Sequence, residues 1–398
     1  MVDPAHAGRA SVAVRGGRFV VATSGVADGP SQALSRFLVD EGAAAVTVVT
    51  HPLVVESEGE HVVAELVSGT RRVRRRPNHP PSTFVFDPAT PLLLPAADAW
   101  FGFNCLVTAQ GLVRRRLRRV RRVIHWSVDF VPVRFGESPL TRVYDRLDKW
   151  CITSSDGRIE LSEAAFGGRL ASYGLRPDEA PAEIVPMGAW TAEAPHTGPG
   201  ALEHPRLVFL GHLVDRMGVP LVVQLASELR RRGRAVSVDV IGGGPILASL
   251  EALAAQERVD DLVHFHGFVA DFGNVQRLLA GAAVALAPYE VDDTSFSRFA
   301  DPGKLKAYLA AGLPILLTPV PPNAGELAAL AGASVLPPDA AAFADAVCAI
   351  LDDPSEWQRR HHAAVEHSRQ FDWGAMLRRS LPRLGIGVDE SPPMETSS

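Results

Sequence analysis

The sequence predicts an α/β protein built from two tandem domains, each a doubly wound, Rossmann-like parallel sheet covered by helices. Short apolar runs alternate with longer helical patterns along the 398-residue chain, which is typical of βαβ units. This alternation is interrupted at residues 191–205, where proline, glycine and small polar residues predominate. We therefore predict a linker there, between one domain at 18–190 and another at 206–370.

Four apolar runs predict the buried strands of the first domain. They are FVVATS (19–24), AVTVVT (45–50), AWFGFN (99–104) and VIHWSV (123–128), with a helical pattern at 31–42 between the first two. Residues 1–17 lack the apolar segment of a signal peptide and predict a flexible leader.

A second series of apolar runs predicts the other sheet. Its members are LVFLG (207–211), VSVDVIG (236–242), LVHFHGF (262–268), VALAPY (284–289), PILLT (314–318) and ASVLP (333–337). A final helix is predicted at 371–385, and the polar, proline-bearing residues 386–398 predict a disordered tail.

Composition and missing motifs exclude several classes of protein. The net charge of −5 argues against a protein that coats nucleic acid, and no apolar run reaches the roughly 18 residues of a membrane span. Three widely spaced cysteines without metal-ligand spacing fit reduced thiols in the cytoplasm. Neither GxGxxG nor GxxxxGK[ST] is present, which argues against dehydrogenases and P-loop kinases.

The segment after residue 300 predicts a short helix with a clear start and end. Asp301 is suited to the N-cap, Pro302 to the first helical position and Gly312 to the left-handed position after the last turn. The residues spaced to bury one face are Leu305, Tyr308 and Leu309.

Lys304 stands in the first turn of this helix, beside the free N–H groups predicted at residues 303–305. A cation next to unpaired amides at the positive end of a helix dipole suits a phosphate. The alternative is an ordinary amphipathic helix with a solvated lysine.

Four segments of the second half occur in the order found in one enzyme family. FLGHLVDRMGV, VIGGGP, VHFHGFV and PGKLKAYLAAGLPI together resemble the retaining glycosyltransferases of family 4 and their GT-B relatives, over roughly residues 206–320. A weaker resemblance in the first half rests on HWSVDFVPVRF (125–135), YDRLD (144–148), SDGRIELS (155–162) and VPMGAW (185–190). The family resemblance as a whole implies a GT-B architecture with an interdomain cleft. It also implies an acceptor-binding first domain and a final helix that crosses back to that domain.

The resemblance also implies which residues of the second domain bind the donor. They are His212, Arg216, Gly242, Gly243, Gly244, Gly267, Phe268, Arg298, Gly303, Lys304 and Leu305. The triple glycine is equally explained by a tight turn between strand and helix. Two glutamates common in the family are replaced by Phe299 and Ala307, and His212 and Met217 stand where Arg and Lys are usual.

Three acidic residues precede the helix. Glu290, Asp292 and Asp293 are candidates to hydrogen-bond sugar hydroxyls, although a plain exposed acidic loop explains them as well. The family pattern requires no divalent ion, and no DxD motif ends a strand, so we expect neither a metal nor a cofactor.

On the acceptor side, the resemblance points to Asp129, Asp28 and Gly29. Asp129 follows the strand at 123–128, and His125, four residues earlier inside the strand, has the same side-chain parity. Asp129, His125 and Lys304 are the candidate catalytic residues. A lone histidine in a strand is also common in a protein core.

The resemblance implies metal-independent sugar transfer from a UDP-, GDP- or dTDP-linked donor, with retention of configuration. Acceptor sugars, lipid-linked sugars and small-molecule aglycones all fit, in polysaccharide, glycolipid or natural-product glycoside synthesis. Two alternatives are another GT-B enzyme, such as a sugar-nucleotide epimerase or phosphorylase, and a catalytically silent subunit, which the substituted glutamates suggest.

Seven of the nine residues in Arg114–Arg122 are arginine, and RRVRRR (71–76) forms a second basic cluster. Placed on a helix, residues 113, 117 and 120 form a stripe that would pack on the first sheet and leave a cationic face. Such a face suits an anionic membrane surface, or it is simply solvated. Without interleaved aromatic residues it does not suggest nucleic acid. We expect a cytoplasmic protein, with peripheral membrane contact as an option.

Overall fold

The computed structural model describes residues 11–24, 29–51, 60–67, 70–77, 94–234, 236–291 and 299–389. The chain forms two compact units. The first unit comprises Met1–Pro186 and Trp373–Ser398, and the second comprises Met187–Asp372. The predicted linker at 191–205 thus falls inside the second unit.

The first unit alternates strands with helices. Its strands are β1 (Val12–Ala13), β2 (Arg18–Thr23), β3 (Ala45–Thr50), β4 (Glu60–Val67), β5 (Thr70–Pro77), β6 (Ala97–Gly102), β7 (Val120–Ser127), β8 (Gly157–Glu160) and β9 (Glu183–Ile184). Its helices up to this point are α1 (Pro30–Asp40), α2 (Cys105–Arg116), α3 (Pro139–Ser154) and α4 (Glu163–Tyr173).

Eight of these strands form one sheet, in the order β5-β4-β3-β2-β6-β7-β8-β9. The pairs from β3 through β2 to β9 are parallel, whereas β4 and β5 pair antiparallel at one edge. All four strands predicted from the apolar runs are present.

The second unit is a six-stranded parallel sheet with helices. Its elements are β10 (Arg206–Leu210), α5 (Val219–Arg231), β11 (Ser237–Ile241), α6 (Leu247–Gln256), β12 (Val263–Gly267), α7 (Phe272–Ala280), β13 (Val284–Ala287), α8 (Gly303–Ala310), β14 (Ile315–Leu317), α9 (Ala324–Leu330), β15 (Ser334–Val335), α10 (Ala340–Leu351) and α11 (Pro354–Ser368). The strand order is β12-β11-β10-β13-β14-β15, the Rossmann arrangement. All four residues of β13 are buried, as expected for a strand covered on both faces.

The chain ends in the first unit with α12 (Trp373–Ser380) and β16 (Ile386–Gly387). β16 pairs in parallel with β1, and Val12 and Val14 are buried. The flexible leader and the disordered tail were therefore predicted too long. Apolar residues near the two termini are buried, and the strands β1 and β16 pair with each other.

The predicted helix through Arg114–Arg122 is wrong. α2 ends at Arg116, and residues from Val120 onward belong to β7. Arg114 is buried and donates to the carbonyls of Leu94 and Pro95, at 3.0 and 2.7 Å. The buried Arg122 donates to the carbonyl of Leu384 at 2.9 Å.

The apolar stripe predicted on that helix does not pack on the sheet as a unit. Val113 and Leu117 are 46% and 57% exposed, and only Val120 is buried, as a strand residue. Periodicity misled here because the segment passes from a helix into a strand, which changes the side-chain period from 3.6 to 2.

Candidate functional site

The candidate site lies where the strand order of the second unit reverses. β10 and β13 are neighbours there, and the chain proceeds from them toward opposite edges of the sheet. Open α/β sheets bind ligands beyond the carboxyl ends of strands at this point. The Tyr308 hydroxyl of α8 accepts from the amide of Leu210 at 2.7 Å and donates to the carbonyl of Leu286 at 3.2 Å. These bonds fix α8 to both strands.

The predicted end of this helix is confirmed. Gly312 has a φ of +70°, and its amide bonds the carbonyl of Leu309 while the Leu313 amide bonds that of Tyr308. This is a Schellman arrangement, which favours glycine at the left-handed position. The predicted face of Leu305, Tyr308 and Leu309 is fully buried.

The predicted start of the helix is wrong by one residue. α8 begins at Gly303, Pro302 occupies the N-cap, and the Asp301 carboxylate does not cap the helix. The carboxylate is instead buried, where it pairs with Lys306 and accepts from the amide of Met187 at 2.6 Å. The Asp301 carboxylate pairs with Lys306 instead of capping the helix, because an unpaired buried ammonium would cost more free energy than a missing cap.

Lys304 projects over two aromatic rings. Its Nζ lies 4.1 Å from the ring centre of Phe209 and 4.8 Å from that of Tyr289, and 3.8 Å from the sulfur of Met217. No carboxylate in the described part of the chain forms an ion pair with it. Burial lowers the pKa of the Lys304 ammonium to about 7. A desolvated cation without a counter-ion is suited to an anionic ligand.

The amides of the first turn add to this site. Neither the Gly303 nor the Lys304 amide has an acceptor among the described residues. The predicted free amide of Leu305 is wrong, because it donates to the carbonyl of Pro302 at 3.1 Å. Two amides and one ammonium therefore remain for an anion at this helix start.

The glycine turn packs directly on the loop that follows β10. The Gly211 amide donates to the carbonyl of Ile241, and the Leu213 amide donates to that of Gly243, at 2.9 and 3.0 Å. A Cβ on Gly211 would lie 2.9 Å from Nζ of Lys304, which places this loop beside the ammonium. A Cβ on Gly243 would meet only Phe268, at 3.6 Å, so backbone here is open to a ligand.

The remaining predicted donor residues of the second unit border the same sheet edge. The Gly242 amide donates to the carbonyl of Gly267 at 2.9 Å, and Phe268 is 68% exposed. His212 is exposed, and the carbonyl of Arg216 accepts from the amide of Glu290 at 3.1 Å. The structure thus brings these loops together at one edge.

Sequence reasoning missed the aromatic support beneath Lys304. Phe209 and Tyr289 both lie next to the ammonium because β10 and β13 are adjacent in the sheet. The Tyr289 hydroxyl is buried without a hydrogen-bond partner among the described residues. The only sequence signal was that both aromatic residues fall within predicted strands, at 207–211 and 284–289. Arg298, Asp292, Asp293 and Asp28 lie outside the described residues.

In the first unit, Asp129 and His125 differ in their surroundings. The Asp129 side chain is 42% exposed and pairs with Arg134 at 2.5 Å. His125 is 1% exposed, its Nδ1 lies 2.8 Å from the Thr108 hydroxyl, and burial lowers its pKa to about 3. The parity argument is wrong because β7 ends at Ser127, so Asp129 lies beyond the strand. His125 is a neutral core residue here.

Other predicted features can be placed as well. Gly29 is the N-cap of α1 and is half-buried. Over the described ranges, no cluster of three or more His, Cys, Asp or Glu residues is arranged to hold a metal. Within the same ranges, no helix has the length and apolarity needed to cross a membrane.

The model of one protein family, described as glycosyl transferases group 1, matches residues 204–353, which contain this whole site. The second unit belongs to this family. The matched range contains all four segments on which the sequence resemblance rests.

Curated relatives share moderate identity with the chain. It is 29% identical over 247 residues to a glycogen synthase of Mycobacterium tuberculosis, covering 59% of this chain and 55% of that protein. It is 30% identical over 230 residues to a GDP-mannose-dependent alpha-(1-6)-phosphatidylinositol monomannoside mannosyltransferase of the same species, covering 57% and 54%. The matched region spans about half the length of these relatives.

Solved structures match nearly the whole chain. A sucrose-phosphate synthase from Thermosynechococcus elongatus has a TM-score of 0.68 at 16% identity, covering 92% of this chain and 98% of that one. HepE from Anabaena, in complex with UDP and glucose, has a TM-score of 0.64 at 13% identity, covering 92% and 91%. These likenesses show the fold, and the predicted pair of Rossmann-like sheets of a GT-B protein is confirmed.

Proposed function

We propose that the chain transfers a sugar from a nucleotide-sugar donor to an acceptor hydroxyl, with retention of configuration and without a metal. The observation that supports this most directly is the unpaired, desolvated ammonium of Lys304 beside two free helix amides. Departure of a nucleoside diphosphate leaves negative charge on the phosphate oxygens. Preorganised donors in a water-poor site stabilise such charge most effectively.

The surrounding loops complete a donor site in this proposal. The open backbone at Gly243 and the exposed Phe268 offer a surface for the sugar and the base. The proposed donors carry uracil, guanine or thymine as the nucleotide base. One relative is described as GDP-mannose-dependent, and the HepE structure contains UDP, so both classes are suitable probes.

The acceptor belongs to the first unit in this proposal. Asp129, two residues after β7, is a partly exposed carboxylate paired with Arg134, and we assign to it a contact with the acceptor hydroxyl. In front-face transfer the leaving phosphate oxygen accepts the acceptor proton, so this carboxylate orients the hydroxyl rather than acting as an obligatory base. Acceptor sugars, lipid-linked sugars and small aglycones remain the proposed classes.

A nucleotide-sugar panel tests the proposal. Specific donors are expected to raise the melting temperature by mass action, with UDP-glucose, GDP-mannose and dTDP-glucose as the first probes. Incubation of the binding donor with acceptor candidates is expected to give a glycoside with the anomeric configuration of the donor, read by NMR. An inverted glycoside would contradict retention, and an altered nucleotide sugar formed without acceptor would indicate an epimerase. Binding without any turnover would favour the silent subunit.

Donor affinity is expected to decrease as the pH rises above about 7. The ammonium of Lys304 has a pKa of about 7 in the free protein, and a bound diphosphate raises it by attraction. Below that pKa the lysine is already charged and affinity is flat; above it, binding requires proton uptake and weakens by up to about tenfold per pH unit. Calorimetry of UDP-glucose and GDP-mannose between about pH 6 and about pH 8 measures this.

Lys304→Arg is the matched variant for this measurement. Arginine stays protonated throughout the range, so its residual donor affinity should not depend on pH. The same slope in wild type and variant would show that another group is responsible.

Part of the basic segment remains available for an anionic membrane surface, which we retain as a proposed partner. Its exposed members are Arg116, Arg118, Arg119 and Arg121. Co-sedimentation with phosphatidylcholine vesicles, with and without phosphatidylglycerol, tests this contact.

A further inference from the structure

The chain passes between the two units twice, after Pro186 and after Asp372. We call residues 187–191 and 371–372 the crossing segments; both belong to the second unit. Hydrogen bonds connect the two crossing segments to each other. The Ala189 amide donates to the carbonyl of Phe371 at 2.9 Å, and the amide and hydroxyl of Thr191 donate to the Asp372 carboxylate at 3.3 and 3.2 Å.

The Asp301–Lys306 pair contacts both crossing segments. Oδ2 of Asp301 accepts from the amide of Met187 at 2.6 Å, while Oδ1 pairs with Lys306. Nζ of Lys306 lies 4.6 Å from the ring centre of Phe371, in the other crossing segment. The side chains of Asp301 and Lys306 are only 7% and 1% exposed, so water competes little for these contacts.

The same pair borders the start of α8 at residues 303–305, which we call the phosphate-binding turn after its proposed role. Asp301 lies two residues before α8, and Lys306 is the fourth residue of that helix. The two residues therefore flank Lys304 in the sequence. A Cβ on Gly303 would lie 3.0 Å from the terminal methyl of Met187, so the first crossing segment packs against Gly303.

A buried ion pair is weak grounds for stability alone, because desolvation offsets much of its attraction. Asp301 precedes the N-cap residue Pro302, and the helix has no side-chain cap. Its carboxylate is used entirely for contacts that link the turn to the crossing segments. This arrangement indicates positioning rather than simple stabilisation.

We propose that Asp301, held by Lys306, is a positioning residue that links the phosphate-binding turn to both crossing segments. A diphosphate bound at Lys304 then restrains residues 187–191 and 371–372 through this pair. The proposal rests on the proposed donor site, and it adds a route by which donor occupancy reaches the chain segments that connect the units.

Hydrogen–deuterium exchange with saturating UDP-glucose or GDP-mannose, whichever binds more tightly, tests this link. In the wild type, the donor is expected to slow exchange in peptides that cover both crossing segments. In Asp301→Ala the donor should still bind, roughly tenfold more weakly, and the slowing should be lost in both segments.

A neutral double variant separates positioning from folding. Asp301→Asn with Lys306→Met removes both charges but keeps an acceptor for the Met187 amide. Donor-induced slowing should then persist at 187–191 and disappear at 371–372. The control is Asp239→Asn, a buried carboxylate of the same unit that contacts His266 and Arg206 instead. It should reduce the melting temperature and leave the slowing intact in both segments.

Four results would overturn the inference. Asp301→Ala with a lower melting temperature but unchanged donor-induced slowing would show a purely stabilising pair. Loss of slowing in Asp239→Asn would show a general effect of destabilisation. If the wild type binds donor without slowing at either segment, the link fails while the proposed function stands, whereas no donor binding by the wild type refutes both.

Discussion

Lys304→Ala is expected to reduce kcat/KM with the natural donor by about 10²- to 10³-fold. Charge-assisted hydrogen bonds to a buried anion contribute about 1.5–3 kcal/mol, and this contact strengthens as charge develops on the leaving diphosphate. The loss should appear in kcat as well as in donor affinity. Folding should be little affected, because an ammonium without a counter-ion is removed from above Phe209 and Tyr289.

Lys149→Ala is the matched control. Lys149 is an exposed lysine of the first unit whose ammonium donates to the carbonyl of Tyr173, at 2.8 Å. Its removal should leave donor kinetics within about twofold of wild type, as is usual for surface substitutions. Near-normal turnover by Lys304→Ala would remove the central support for the proposed donor site.

Gly242→Ala is expected to destabilise the second unit by several kcal/mol and to abolish donor binding. Gly242 has a φ of +142°, which side chains rarely adopt, and a Cβ there would lie 1.9 Å from the carbonyl oxygen of Gly211. The backbone of both loops would have to move, at a cost of roughly 1–3 kcal/mol for the strain and more for the clash. Chemical denaturation followed by circular dichroism measures the loss.

Gly243→Ala provides the control one residue away. Its Cβ would make only an ordinary contact, 3.6 Å from the Cβ of Phe268, so the free energy of unfolding should change by about 1 kcal/mol or less. If the donor approaches this backbone as proposed, its affinity should nevertheless fall. A variant as stable as wild type with unchanged affinity would place the donor elsewhere, and equal stability of the two alanine variants would contradict the described turn.

Local signals in the sequence were sufficient for the strands, the fold class and the end of α8. Buried strands and the Gly312 turn depend on neighbours within a few residues, and both are found as predicted. Local signals failed where a distant partner competed. Asp301 does not cap the helix, because its carboxylate binds Lys306 and the Met187 amide. Arg114 and Arg122 are buried, because they donate to carbonyls remote in sequence.

The sequence by itself determined two Rossmann-like sheets and a lysine at the first turn of a helix, because apolar periodicity and turn chemistry are written locally. Only the tertiary structure decided that this lysine lies over Phe209 and Tyr289, with a pKa near 7 and no carboxylate partner in the described chain. Those properties arise from which strands become neighbours. Strand order depends on long-range packing, which no local pattern specifies.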